Sequence, residues 1–257
     1  MKYLVVFFVF FFSLPLAAQD SAESSWASAQ DSFESGNYID AIKQFSRIKR
    51  RFPYSKYAKI ADVRIGDAYF EQSQFPSAVE QFRGFRKLHP KHELVPYASW
   101  RIAEAFYEDL PPDFFIYPPR WEREMSRPKE TSRELGSFIK RYGKTKYIDT
   151  AKKRLREVLR ILADHEFYVA SFYLKNNKPR AAAMRFKTLL EDYSGLGLDP
   201  NALFLLAKSY IQLGDMKAAT TAFGDLMLNF PKHDLSLAAA RYLKKHNLLQ
   251  KEAKAKK

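Results

Sequence analysis

Cysteine is absent from this chain, and its absence excludes disulfides, thiolate metal sites, a cysteine nucleophile and acylation at a cysteine. Glycine is scarce, 9 residues in 257, while aromatic residues make up 16%. The apolar residues recur at helical rather than alternating spacing, which favours an all-α chain over a β-rich one. Enzyme motifs are missing too. The stretch from Gly136 to Thr145 resembles a phosphate-binding loop, but six residues separate Gly136 from Gly143 where that motif has about four, and the stretch closes a helix instead of leaving a strand. His89, His92, His165, His233 and His246 form no His-Glu-x-x-His pair, and no Gly-x-Ser-x-Gly elbow occurs. Carboxylates such as Glu104 and Glu108 stand one helical turn apart, the ordinary spacing of a solvated or peptide-facing stripe. No enzyme activity, cofactor or metal is expected.

What is present is ample apolar material, 46% of the residues, enough for one elongated array or two small domains. Residues 1–18 read as a cleavable secretory signal: Lys2, an apolar run over Leu4–Phe12, then Ser13 to Ala18 before the polar Gln19. That run is shorter than the ~20 residues of a membrane span. Export places the chain in the periplasm or beyond. The net charge is +14, concentrated between Lys140 and Arg160, where Lys152, Lys153 and Arg154 form a candidate patch for acidic lipid or an acidic partner. A solvated helix face accounts for the same run. Nucleic acid ranks last, because an exported protein seldom meets it.

Self-similarity at about 34 residues organises the rest. In a first unit Trp26, Ala29 and Phe33 share a helix face, Gly36-Asn37-Tyr38 turns, Ala41 and Phe45 continue on a second helix, and Pro53 ends it. Gly66, Tyr69, Phe70, Phe75, Ala78, Phe82 and Pro90 repeat the offsets, as do Ala207, Tyr210, Gly214, Met216, Ala219, Phe223 and Pro231. Small residues let antiparallel helices approach while aromatics fill the gap beside them, and proline stops the helix. A unit with Ala170, Tyr173, Ala182, Phe186 and Leu189 has lost its glycine, and Ser194 stands where its proline would be. The predicted fold is an all-α tetratricopeptide-repeat superhelix of about five helix–turn–helix units.

The third unit is interrupted. Trp100, Ala103, Phe106 and Tyr107 mark its first helix, but Leu135 and Phe138 of the second arrive late, after an insertion over residues 109–129 containing Pro111, Pro112, Pro118, Pro119 and Pro128. These prolines forbid a continuous helix. The insertion's aromatics, Phe114, Phe115, Tyr117 and Trp121, are expected to dock on the chain's own helices or on a partner. From Asp149 to Lys175 neither glycine nor proline occurs, which predicts one long helix. The organisation is thus a leader (1–18), N-terminal repeats (19–108), the insertion (109–129), C-terminal repeats (130–247) and a basic tail (248–257). First helices of such arrays line a groove that accepts peptides, and Trp26, Gln30, Phe33, Val63, Asp67, Phe70, Trp100, Glu104 and Tyr107 are placed on it by register. Phe33, Phe70 and Tyr107 also suit packing between repeats; Gln30, Asp67 and Glu104 carry less structural burden and are the better peptide contacts.

On these residues the chain resembles the BamD family, tetratricopeptide-repeat subunits of the machinery that folds β-barrels into the bacterial outer membrane. The opening repeat is similar at Ala29-Gln30, Gly36-Asn37-Tyr38, Ala41-Ile42 and Arg51-Phe52-Pro53-Tyr54-Ser55, and so is the broken third unit. More specific are the run Asp164 to Leu174, then Ala181 to Phe186 and Leu190-Glu191-Asp192-Tyr193. The resemblance implies five repeats and a place at the periplasmic face of the outer membrane. It implies partners as well: the barrel-forming subunit on the C-terminal repeats, targeting segments of unfolded outer-membrane proteins in the N-terminal groove, and other assembly lipoproteins. It also implies a partner-facing role for Arg185, against which stands a salt bridge within the array.

The family's members are usually lipoproteins acylated at a cysteine that this sequence does not have. The expectation is a peripheral attachment without a lipid anchor, through the partner subunit and the basic patch. The competing expectation is a periplasmic scaffold of cell-envelope or division coordination, similar to the Tol–Pal associated repeat proteins. Those usually carry a coiled-coil segment, and no heptad stretch of adequate length occurs here.

Overall fold

The computed structural model describes residues 21–113 and 116–246. The leader (1–18), the tail (248–257), Phe114 and Phe115 lie outside the described residues. Those described form eleven α-helices and one short 3-10 turn, with no strand among them. They group into two compact units, one up to Pro90 and one from Lys91 onward.

The first unit holds α1 (Ala22–Glu34), α2 (Tyr38–Arg51), α3 (Lys56–Glu71) and α4 (Phe75–Leu88). Three of these start on side-chain caps. Ser21 and Ser24 cap α1 reciprocally, Asn37 accepts from the Asp40 amide, and Ser55 from the Ala58 amide, each satisfying a backbone donor the helix leaves open. Gly36 (φ +80°) makes the α1–α2 turn and Ser73 (φ +58°) the α3–α4 turn. Ala29, Ala41, Phe45, Ile48, Ala61 and Ile65 form the core, with Trp26 stacked on Tyr57 at 5.3 Å. Between α3 and α4 the fit is closer still: a Cβ on Gly66 would lie 2.7 Å from the buried Phe82 ring. Asp62, itself buried, accepts a 2.9 Å hydrogen bond from Gln81 and pairs with Lys49, so one carboxylate joins α2, α3 and α4.

The second unit holds α5 (Val95–Glu108), the 3-10 turn (Arg120–Glu122), α6 (Ser126–Arg141), α7 (Ile148–Lys175), α8 (Pro179–Asp192), α9 (Asp199–Gln212), α10 (Met216–Asn229) and α11 (Asp234–Lys245). The long helix expected from Asp149 to Lys175 is α7, 28 residues. Its N-terminal half packs on Trp100, Leu135 and Phe138, and its C-terminal half on Ala182, Phe186 and Leu189. Five antiparallel pairs run from α1/α2 to α9/α10, and α11 follows, burying Ala239 and Leu243 in the same core as α9 and α10. Sequence spacing placed α5 with the N-terminal repeats; it sits in the second unit, because Trp100 stacks on Tyr147 at 5.5 Å and packs against Phe138.

The fourth pair replaces its missing signals with other chemistry. Asn177 adopts the left-handed conformation (φ +54°) that Gly214 supplies at the next turn, a geometry asparagine tolerates. Where the proline is lacking, the Asp199 carboxylate accepts from Ser194 Oγ (2.7 Å) and the Gly195 amide (3.1 Å). Arg156 and Arg160 of α7 donate to the Gly195 and Leu196 carbonyls, fastening the same loop from the other side.

In the insertion, α6 already begins at Ser126, with Pro128 in its first turn where no backbone donor is needed. Arg123 donates to the carbonyls of Pro118 (2.7 Å) and Pro112 (2.9 Å), which gathers the proline-rich chain around one guanidinium. His165 Nδ1 donates to the Trp121 carbonyl at 2.6 Å, docking the segment on α7. The backbone docks while the Tyr117 and Trp121 rings stay exposed. No helix among the described residues is long and apolar enough to cross a membrane.

Candidate binding surfaces

The residues assigned to a peptide groove divide between the two units. In the first, Trp26, Gln30, Phe33 and Phe70 are half-buried and reach the surface. Val63 and Asp67 do not: each is 2% exposed. Val63 belongs to the interior. Asp67 is ion-paired with Arg64 at 3.3 Å. Arg64 also donates to Gln30 Oε1 at 3.3 Å and lies 4.1 Å over the Phe33 ring. The expectation that Gln30 and Asp67 carry little structural burden therefore fails, since a buried carboxylate must be paired and Arg64 is the hub that pairs it.

In the second unit Trp100 is 5% exposed and belongs to the core. Glu104 pairs with Arg101 at 3.0 Å and with Arg154 at 3.2 Å. Arg154 also pairs with Glu108 at 2.9 Å, and its guanidinium lies 4.6 Å from the Tyr107 ring and 5.4 Å from the Trp100 ring. Glu104 is thus a structural partner, and Arg154, 18% exposed, is withdrawn from the basic patch into a clasp between α5 and α7. Lys152 and Lys153 do remain exposed. The clasp was illegible in the sequence because Glu104 and Arg154 are 50 positions apart with the insertion between them.

Tyr107 completes the clasp by donating its hydroxyl to the Glu157 carboxylate. Burial, then that hydrogen bond, raises the phenol above its usual 10.0. A raised folded pKa means that the stabilisation is whole below the pKa of an unfolded tyrosine and is lost as pH climbs through the folded value. Tyr107→Phe should therefore cost about 1 kcal/mol in neutral urea unfolding, with the gap to the wild-type chain closing in alkaline solution. A gap independent of pH would mean that the hydroxyl contributes nothing through Glu157.

Arg185 on α8 contacts both carboxylate oxygens of the buried Glu166 on α7, at 3.0 and 3.1 Å, and remains partly exposed. The salt bridge within the array is therefore formed, and the Arg185 side chain is still 44% exposed. Burial, followed by the charge on Glu166, raises the nearby Tyr193 phenol as well.

Comparison with known proteins finds relatives over most of the chain. A relative from Caulobacter vibrioides is 26% identical over 226 residues, spanning 88% of this chain and 72% of that protein. One from Neisseria meningitidis serogroup A is 28% identical over 214 residues, 82% of this chain and 80% of that protein. A third, from Xylella fastidiosa, is 31% identical over 111 residues, 43% of this chain and 38% of that protein. All three are named outer membrane protein assembly factor BamD. Among solved structures, the TPR2AB-domain:pHSP90-complex of yeast Sti1 overlaps 88% of this chain and 85% of that chain, at 10% identity and a TM-score of 0.44. Residues 18–226 match the family described as YfiO, outer membrane lipoprotein. With most of its length so matched and its helix pairs in place, the chain belongs to the YfiO family of outer membrane lipoproteins, to which these BamD relatives tie it.

Proposed function

We propose that this chain is a non-enzymatic adaptor of β-barrel assembly at the periplasmic face of the outer membrane. In this reading it holds the barrel-forming subunit through its C-terminal repeats and segments of unfolded outer-membrane proteins through its N-terminal ones. The family match over residues 18–226 carries the reading, supported by the assembly-factor names of the relatives. Stacked helix pairs with half-buried aromatics on their first helices are suited to peptide binding, and Trp26, Gln30, Phe33 and Phe70 are the accessible members of the first unit. Lys152 and Lys153 offer an exposed basic site for an acidic partner or lipid.

The deciding experiment is affinity purification of the tagged protein, expressed at its native level, from detergent-solubilised envelopes. Recovery of the barrel-forming subunit is expected. Recovery of peptidoglycan or division proteins in its place would hand the case to the envelope scaffold.

The partner role of Arg185 needs a gentle substitution. Arg185→Glu would set a second carboxylate against buried Glu166, a repulsion that would destabilise the array whether or not a partner is lost. Arg185→Gln keeps a hydrogen-bond donor beside Glu166 while removing the charge. It is expected to weaken binding of the barrel subunit at least tenfold with helicity unchanged; unaltered affinity in a titration would confine Arg185 to the salt bridge.

A further inference from the structure

One end of the first unit is built from the C-termini of α2 and α4 and the N-terminus of α3, since short loops make these helices antiparallel neighbours. The sequence places no carboxylate from Ala41 to Ala61 or from Gln81 to His92. Helix α1, whose Trp26 stacks on Tyr57 of α3, brings exposed Glu23 of its first turn near, and the end as a whole is predominantly basic. Arg50, Lys56, Lys59 and Lys87 are all exposed there. Two large apolar side chains project from the same end: Tyr54, 102% exposed on the α2–α3 loop, and Leu88, 68% exposed at the last turn of α4.

Part of this charge has a local explanation, because cations in the last turns of α2 and α4 complement the helix dipole. Lys56 and Lys59 are not explained by the dipole, although the Lys56 ammonium lies 5.1 Å over the Tyr57 ring. They occupy the first turn and a half of α3, which carries no acidic residue in its first turn, and the positive end of the dipole opposes a cation at that place. Helix electrostatics alone would select the opposite sign. An acidic protein surface would also account for the lysines, and a tyrosine suits a protein interface too, so capture by an acidic polymer is an outcome of the test below. Lysine and arginine stems flanking a projecting aromatic and an aliphatic side chain are the chemistry of a lipid interface, where the cations meet anionic headgroups and the tyrosine lies at headgroup level.

We infer that this end of the first unit is a peripheral docking face for an anionic phospholipid surface. Its cations supply the attraction, and Tyr54 and Leu88 enter the headgroup layer. The inference does not depend on which proteins the repeats hold.

The test is co-sedimentation of the full chain with phosphatidylcholine vesicles, with and without phosphatidylglycerol. Binding is expected only to the anionic vesicles and should fall as salt is raised, because screening shortens the reach of the lysines. The double substitution Lys56→Glu with Lys59→Glu should lower vesicle partitioning at least tenfold. It should leave thermal stability unchanged or raised, because the dipole favours acids there; a purely structural role for these lysines would give the reverse pair of results. Tyr54→Ser with Leu88→Ser, both surface changes, should remove the binding that persists at high salt. Equal binding to the two vesicle types, partitioning untouched by the double lysine variant, or capture by soluble polyglutamate with none by vesicles would overturn the inference.

Discussion

Arg154→Ala is expected to destabilise the second unit by about 2–3 kcal/mol in urea unfolding, near the low end for breaking a buried ion pair. Arg154 pairs with Glu104 at 3.2 Å and with Glu108 at 2.9 Å, and it covers the faces of Tyr107 and Trp100. Its removal leaves two carboxylates with one cation between them, since Arg101 still pairs with Glu104; that remaining partner keeps the expected loss below the full range. Arg154→Lys should recover only part of it. A lysine ammonium is a point charge that cannot bridge two carboxylates while lying flat on two rings. If the alanine and lysine variants unfold alike, the planar fork is irrelevant and bulk alone supports the clasp. The consequence reaches the insertion, because Glu104 and Glu108 lie at the end of α5 from which it departs and Arg154 lies on the helix where it docks.

Gly66→Ala and Gly84→Ala should move stability in opposite directions although both glycines lie inside helices. A Cβ at Gly66 meets three atoms of the Phe82 ring between 2.7 and 2.9 Å, and Phe82 has no exposed surface through which to yield, whereas a Cβ at Gly84 meets nothing within 4 Å. Overpacking at the first site costs about 1–3 kcal/mol, against a helix-propensity gain of about 1 kcal/mol that both substitutions share. Gly66→Val, with two further methyl groups against the ring, should exceed the alanine loss. In a Phe82→Leu background the contact is relieved, and Gly66→Ala should become neutral or stabilising. A loss of the same size in both backgrounds would show that the glycine is needed for some reason other than the ring.

Both predictions bear on what could be read before the fold was known. The repeat was legible because a helix pair forces a pattern on its residues: alanines and glycines where backbones close up, aromatics beside them, a turn residue and a stop. Ala29, Ala41, Gly66, Ala78 and Phe82 are all buried, as their spacing required. The long helix α7 followed from the lack of any breaker over its length. The last helix, α11, was not foreseen, because a single amphipathic helix after the fifth unit has no partner in register to reveal it. Where expected signals were missing in the fourth unit, they had been replaced: Asn177 for the turn glycine, and Asp199 with Ser194 for the proline.

Side-chain roles behaved differently. Repeat register placed Val63, Asp67 and Trp100 on a groove, but register fixes only the angular position of a residue on its own helix. Whether that position is open depends on what the next helix and the neighbouring long side chains do. Arg64 folds back over Phe33 and Asp67, and Arg154 returns from 50 positions away to cover Glu104 and Tyr107. Local periodicity, composition and family motifs thus determined that this chain is a stack of helix pairs belonging to a known family. Which polar residues remain available for a partner, and which are consumed in holding the array together, was decided by the tertiary structure, because ion pairs and cation–π contacts form between residues that the sequence keeps far apart.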